Sequence, residues 1–162
     1  MAETTDKKQL SIILFSGDLD KAMAAFTIAC AAAGRGYTAN IFFTFWGIAL
    51  LRKTRGRGKD LLGKMFKLLL PVGPEKTGLS KMNFSGLGAL LMRRLIRKRR
   101  IQNLQDLLKL AMERRINFIA CQASMKILGF SRSELIDYDL LTEGNAETFL
   151  ERAEESKVQL FV

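Results

Sequence analysis

Histidine does not occur in this 162-residue chain. Its absence removes a histidine general base, the Ser/His/Asp and Cys/His nucleophile systems and any metal site built on imidazole. Cysteine is nearly as scarce: Cys30 and Cys121 stand far apart, outside any CxxC pair, and two thiols can neither fill a four-ligand zinc site nor form a disulfide framework. A reducing, cytoplasmic setting with no metal is the expectation, and a Cys30–Cys121 bridge is disfavoured because it would join mid-helix to strand end. No apolar run reaches the roughly 18 residues of a spanning helix. The opening MAETTDKKQL carries neither a long apolar region nor a small-residue cleavage site, so no signal peptide is expected. GxGxxG and GxxxxGK[ST] are both missing, and no cofactor is expected.

Acidic residues are sparse in the middle of the chain. The whole carries 26 Lys and Arg against 16 Asp and Glu, a net +10. From Arg52 to Arg100 there are 15 basic residues against Asp60 and Glu75, a local net of +13, and the remainder is slightly acidic. A near-neutral frame is therefore interrupted by a basic and also apolar segment, which implies two different jobs. With 48% hydrophobic residues the chain can bury one core. The expected organisation is one domain over 1–162 with a basic insertion at about 54–102.

Gln9 to Ser16 is a short apolar run stopped by Gly17, as in a buried strand. Asp18 can cap a helix with Ala22, Phe26, Ala29, Cys30 and Ala33 on one stripe, ending at Gly34 or Gly36. Tyr37 to Phe45 is aromatic and β-branched, a second strand parallel to the first. Trp46 to Lys53 reads as a short helix, Thr54 to Lys59 as a loop, and Leu61 to Leu70 as an amphipathic helix ended by Pro71. Gly86 and Gly88 weaken helix, whereas Leu90 to Ile101 combines an apolar stripe with a cationic face. Asn103 and Asp106 open a helix over about 104–115, Ile116 to Cys121 forms a third strand, and Ala123 to Leu128 a short helix closed by Gly129. Ser131 with Glu134 caps one further turn, Ile136 to Tyr138 reads as a brief strand, and a polar helix from Asn145 to near Ser156 precedes a terminal strand over Val158 to Val162. The sum is an α/β three-layer sandwich around a mostly parallel central sheet, with a basic amphipathic helical insertion.

Ligands of open α/β sheets bind beyond the carboxyl ends of the strands. The residues there are Ser16, Gly17 and Asp18, then Trp46 and Gly47, then Cys121 to Met125. Cys121 is the nucleophile among them that needs no histidine partner, since a thiol is already partly ionised near neutral pH and a helix start lowers its pKa. The backbone N–H groups of Gln122 to Ser124 would face the same spot. The alternatives are plainer: Cys121 as a small buried hydrophobe, Cys30 as core packing, Asp18 as a helix cap only and Trp46 as a core side chain. The two basic clusters, Arg52 to Lys59 and Arg93 to Arg100, could meet nucleic acid or anionic lipid, or serve only to solvate the surface. They bracket Leu/Met/Phe segments rather than aromatic stacking positions, which favours a membrane surface or protein partner over nucleic acid.

ACQASMKILGF at 120–130, followed by SELIDYD and AETFLERAEESKVQLFV, resembles the DsrE/DsrF/DrsH-like family. SIILFSGDLDKAMAAFTIACAAAGRGY is similar to that family's opening strand and helix, FFTFWGIALLRK to its second strand and following helix, and GPEKTGLSKMNFSGLGALLMRR to the insertion of its longer members. The likeness covers nearly the whole chain. It implies a DsrE-like fold, homo-oligomers, and a sulfur carrier or sulfurtransferase that relays sulfane sulfur as a cysteine persulfide between donor and acceptor proteins or small thiols. Cys121 falls on the sulfur-carrying cysteine. Gln122, Ser124 and Met125 match the residues beside it and, with Gly17, Asp18 and Trp46, are expected to shape the substrate pocket. Association through the basic insertion implies peripheral contact at the inner face of a membrane rather than spanning.

Overall fold

The computed structural model describes residues 8–53, 65 and 68–162. Five parallel strands, β1 (Gln9–Leu14), β2 (Thr38–Phe43), β3 (Asn117–Cys121), β4 (Leu141–Gly144) and β5 (Val158–Phe161), form a single sheet in the order β4-β3-β2-β1-β5. Between them lie α1 (Leu19–Gly34), a 3₁₀ helix at Phe45–Leu51, α2 (Leu87–Lys98), α3 (Leu104–Glu113), α4 (Gln122–Leu128) and α5 (Ala146–Glu154). The all-parallel sheet with helices on its faces is the expected α/β architecture.

Alternation along each strand sends side chains to two unlike faces. Leu10, Ile12 and Leu14 of β1, Ala39, Ile41 and Phe43 of β2, and Phe118 and Ala120 of β3 enter the main core. Ala22, Ala25 and Ala29 of α1 are fully buried against it, and these small side chains leave room for Phe26 between Phe43 and Phe118, with ring centroids 6.1 Å from each. The opposite face is polar at one end and apolar at the other. Near the strand starts, Asn117 donates to Asn40 Oδ1 at 2.9 Å, and Asn40 Nδ2 approaches Ser11 Oγ at 3.3 Å. Near the strand ends, Phe42, Ile119 and Cys121 form a smaller cluster joined by Ile13 and by Phe149 of α5.

Several terminal signals act as their residue types dictate. Asn103 Oδ1 accepts from the Asp106 N–H at 3.0 Å, Asn145 Oδ1 from Thr148 N–H at 3.0 Å, and Gly129 ends α4 at φ 71°. Ser131 and Glu134 form the expected capping box. Asp18 occupies the N-cap position of α1 without making the cap bond, because its carboxylate accepts from Ser16 Oγ at 2.7 Å and pairs with Lys21 at 3.5 Å.

Other expectations are corrected. Ile136 to Tyr138 is not a strand: the fourth strand is Leu141–Gly144, and Tyr138 instead turns inward to donate to the Ile116 carbonyl at 2.8 Å. Helix α2 starts at Leu87, earlier than the apolar stripe indicated, since Gly86 at φ 96° turns the chain into it. Arg52 is not part of an exposed basic cluster. It is 2% exposed, its guanidinium lies 4.5 Å from the Phe130 ring centre, and its Nη1 donates to the carbonyls of Leu70 and Pro71, each at 3.3 Å. Of the helix expected over 61–70, Met65, Leu68 and Leu69 are helical, while 61–64, 66 and 67 lie outside the described residues, as does the loop at 54–59.

Candidate functional site

The carboxyl ends of β1, β2 and β3 lie side by side, so segments distant in sequence meet at one edge of the sheet. The close crossing there depends on two glycines. A Cβ on Gly47 would stand 2.1 Å from the Leu14 carbonyl oxygen, and one on Gly17 would stand 2.7 Å from that of Trp46. The Gly47 N–H donates to the Phe15 carbonyl at 2.9 Å, which locks the 3₁₀ helix onto the end of β1.

Cys121 is the last residue of β3 and the N-cap residue of α4, and is 8% exposed. Burial pushes its thiol pKa up, but hydrogen bonds from the Ser124 hydroxyl and N–H, the Thr44 hydroxyl and the Ala123 N–H outweigh it, leaving the thiol below its ordinary value. Ser124 Oγ and Thr44 Oγ1 are 2.9 Å apart, and the Phe45 N–H donates to Ser124 Oγ at 2.9 Å. Phe45 adopts φ 41°, a left-handed conformation uncommon for a bulky residue, at the turn where β2 passes into the 3₁₀ helix. Chemically, the arrangement favours a thiolate through hydrogen bonds.

Cys30 differs. It is 3% exposed in α1, burial pushes its pKa up, and its Sγ faces the Leu107 carbonyl at 3.8 Å, as core packing requires. Both cysteines are free thiols.

The remaining expected site residues are distributed unevenly around Cys121. Ser124 is 1% exposed and bonded as described, whereas Gln122 opens α4 with its side chain in solvent. Met125 is 5% exposed and packs into the main core, where it seats α4. Trp46 is 41% exposed, not a core side chain, because Gly47 rather than the indole makes the crossing with β1. Gly17 packs against the Trp46 carbonyl and Asp18 turns toward Ser16 and Lys21. Thr44 was not singled out by sequence pattern. In FFTFW it reads as an ordinary β-branched strand residue, and its meeting with Ser124 spans 80 positions of chain. Among the described residues no cluster of three or more Cys, Asp or Glu could hold a metal, and no helix is long and apolar enough to cross a membrane.

Comparison with known proteins agrees with this architecture. The chain is 42% identical over 161 residues to the uncharacterized protein YrkE of Bacillus subtilis, covering 98% of this chain and 99% of that protein. It is 30% identical over 161 residues to the sulfur carrier protein DsrE2 of Allochromatium vinosum, covering 97% of this chain and 99% of that protein. The crystal structure of the ychN protein from E. coli superposes with a TM-score of 0.56 at 9% identity, over 96% of this chain and 99% of that one, and so shares the fold. A family model matches residues 6–161, which takes in both the sheet and the segment that carries Cys121. With the parallel sheet, the whole-chain relatives and this match in agreement, the chain belongs to the DsrE/DsrF/DrsH-like family.

Proposed function

We propose that this protein is a sulfur carrier that holds sulfane sulfur as a persulfide on Cys121. The observation that carries the reading is the hydrogen-bonded Cys121 thiol, lowered in pKa at the end of β3. Membership of a family that includes a sulfur carrier supports it. In the loading step the Cys121 thiolate attacks the outer sulfur of a donor persulfide R–S–SH. The new Cys121 S–S bond forms, the donor S–S bond breaks, and R–S⁻ leaves with its electron pair. Transfer repeats the exchange: an acceptor thiolate takes the outer sulfur and Cys121 returns as thiolate. No oxidant is consumed, and no histidine base is required because a thiol whose pKa is lowered is partly ionised near neutral pH. Ser124 and the N–H groups at the start of α4 hold the charge, while Gln122, Trp46, Gly17 and Asp18 form the surroundings that donor and acceptor thiols or proteins approach. Met125 contributes by seating the helix.

The test is intact mass after incubation with a persulfide donor, for wild type, Cys121→Ser and Cys30→Ser. A gain of about 32 Da, reversed by reductant and absent only from Cys121→Ser, is the expected result. An adduct that persists in Cys121→Ser overturns the assignment.

A second reading concerns docking and is compatible with the first. Helix α2 leaves Leu87, Leu90 and Leu91 between 56% and 57% exposed on a helix that also carries Arg94, Arg97 and Lys98. Apolar side chains beside cations suit the interface of an anionic bilayer, which supports a cytoplasmic protein in peripheral contact with the inner membrane face. Sedimentation with phosphatidylglycerol vesicles at low salt, weakened by added salt and unaffected by Cys121→Ser, is expected; no sedimentation at low salt overturns it. Exposed Phe45 and Phe161 near the sheet ends fit the homo-oligomer expected of the chain, and a well-dispersed monomer by light scattering would contradict that.

A further inference from the structure

A cavity of about 230 Å³ lies outside the Cys121 site, between the start of α1, the 3₁₀ turn at Pro74–Lys76, α2 and the start of α3. Its walls are tied to one another. The Leu19 N–H donates to the Gly78 carbonyl at 2.7 Å, the Thr77 hydroxyl donates to the Pro74 carbonyl at 3.1 Å, and the Ile101 N–H donates to the Ile96 carbonyl at 3.0 Å where α2 turns toward α3. The cavity is thus formed before anything enters it, as ligand sites usually are. Its floor is aliphatic: Leu19, Ile96 and Leu104 are buried side chains of three different helices.

The charged groups of the wall are unequal in number. Arg93, Ile96 and Arg97 stand at i, i+3 and i+4 of α2, so both guanidiniums share the face on which Ile96 is buried, and like charges at that spacing repel. Arg93 Nη2 donates to the carbonyl and the hydroxyl of Thr77, which fixes one corner of its fork. Among the described residues Nη1 and Nε of Arg93 meet no acceptor, and the Arg97 side chain makes no hydrogen bond or ion pair. Glu75 is the one carboxylate of the wall, and among the described residues it pairs closely with neither arginine. Asp106 does not add to it, since its Oδ2 accepts from Asn103 Nδ2 at 2.6 Å. Two guanidiniums and one carboxylate leave a net charge of +1 facing the cavity. Burial pulls the Arg93 pKa down and Glu75 offsets this only in part, so the charge of Arg93 lacks a full counterion.

The complement of such a wall is a monoanion. Two planar guanidiniums suit a carboxylate, and an aliphatic floor suits a hydrocarbon body that displaces loosely held water. The volume falls below the roughly 300 Å³ at which sites for drug-sized ligands begin, so the body is small. We propose that this cavity is a binding site for a small aliphatic monocarboxylate, held by Arg93 and Arg97 at its charged end and by Leu19, Ile96 and Leu104 along its chain.

The experiment is a titration of the ¹⁵N-labelled full-length protein with hexanoate, followed by amide chemical shifts, with hexanamide as the uncharged probe of the same shape and inorganic phosphate as the anion without a hydrocarbon body. Hexanoate is expected to shift the Ile96, Leu104 and Gln105 amides with a Kd of about 1 mM, the affinity its few heavy atoms allow. Arg97→Gln, an exposed change that keeps the helix, is expected to weaken binding roughly tenfold, as loss of a charged hydrogen bond does. Glu75→Gln removes the opposing charge and is expected to tighten it about twofold. Hexanamide or phosphate binding as tightly as hexanoate overturns the proposal. So does a wild-type Kd in Arg97→Gln, an absence of shifts at about 20 mM hexanoate, or shifts confined to Leu87, Leu90 and Leu91 on the exposed side of α2. The titration uses neither a sulfur donor nor Cys121 reactivity, so its outcome is separate from that of the proposed sulfur chemistry.

Discussion

Gly47 passes so close to Leu14 that a single added methyl would stand 2.1 Å from the Leu14 carbonyl oxygen. Backbone, not a flexible side chain, occupies that space. Gly47→Ala is therefore expected to lower stability by about 1–3 kcal/mol, the range typical of overpacking, as measured by chemical denaturation. It is also expected to slow Cys121 alkylation, because the displaced 3₁₀ helix carries Phe45 away from Ser124. Unchanged stability would mean that the crossing at the ends of β1 and β2 is looser than described.

The two cysteines should part company under alkylation. Burial raises the Cys30 pKa, while hydrogen bonds hold that of Cys121 below the ordinary thiol value against its own burial. Iodoacetamide near pH 7 is expected to modify Cys121 in the native protein and to reach Cys30 only after unfolding. A lowered native pKa contributes stability that is fully present above the unfolded thiol value and is lost as pH falls through the native one. The stability of wild type relative to Cys121→Ser should accordingly increase as pH rises through that window, and a difference that is flat with pH would count against a favoured thiolate.

Ser124→Ala removes the acceptor for the Phe45 N–H and a partner of the Thr44 hydroxyl in one step. Leaving buried polar groups unsatisfied costs about 1–3 kcal/mol, so a loss of that size is expected in denaturant titration. The pH profile of Cys121 alkylation is expected to move upward, since the Ser124 hydroxyl is among the groups that lower the Cys121 pKa.

Arg52→Met tests how the Leu70–Pro71 segment is held against the core. The guanidinium rests on Phe130 and donates to the Leu70 and Pro71 carbonyls from a position 2% exposed. Methionine fills similar space without the donors. The variant is expected to lose about 1.5–3 kcal/mol, as hydrogen bonds involving a charged group are worth, and to be cut faster by protease near residues 70–73. Equal cleavage rates would show that the Gly73 N–H, which donates to the Ala49 carbonyl at 3.2 Å, holds the segment by itself.

Much of the fold was legible locally. Short apolar runs marked β1, β2 and β3, the first two with glycine at one end, and three-to-four spacing together with the caps at Asn103, Asn145 and Gly129 marked α3, α5 and the end of α4. Cys121 was legible for the same reason: a strand run ends on it and a helix pattern begins after it, so chain order alone puts it at a strand's carboxyl end. β4 was misplaced because LTEG is short and mostly polar on an edge, while the more apolar Ile136 and Tyr138 pack their side chains against the core.

What the sequence determined by itself, then, was most of the elements, β4 excepted, and the position of one thiol, since both follow from interactions within a few residues of chain. Tertiary structure decided the rest. The order β4-β3-β2-β1-β5 brings the end of β2 beside the end of β3, and only that neighbourhood puts Thr44 and Phe45 on Ser124, 80 and 79 positions away. It also turned Arg52 from a basic-cluster residue into a buried anchor and joined Asn40 to Asn117 across the sheet. No local periodicity encodes those meetings, because they depend on which strands become neighbours when the whole core is buried at once.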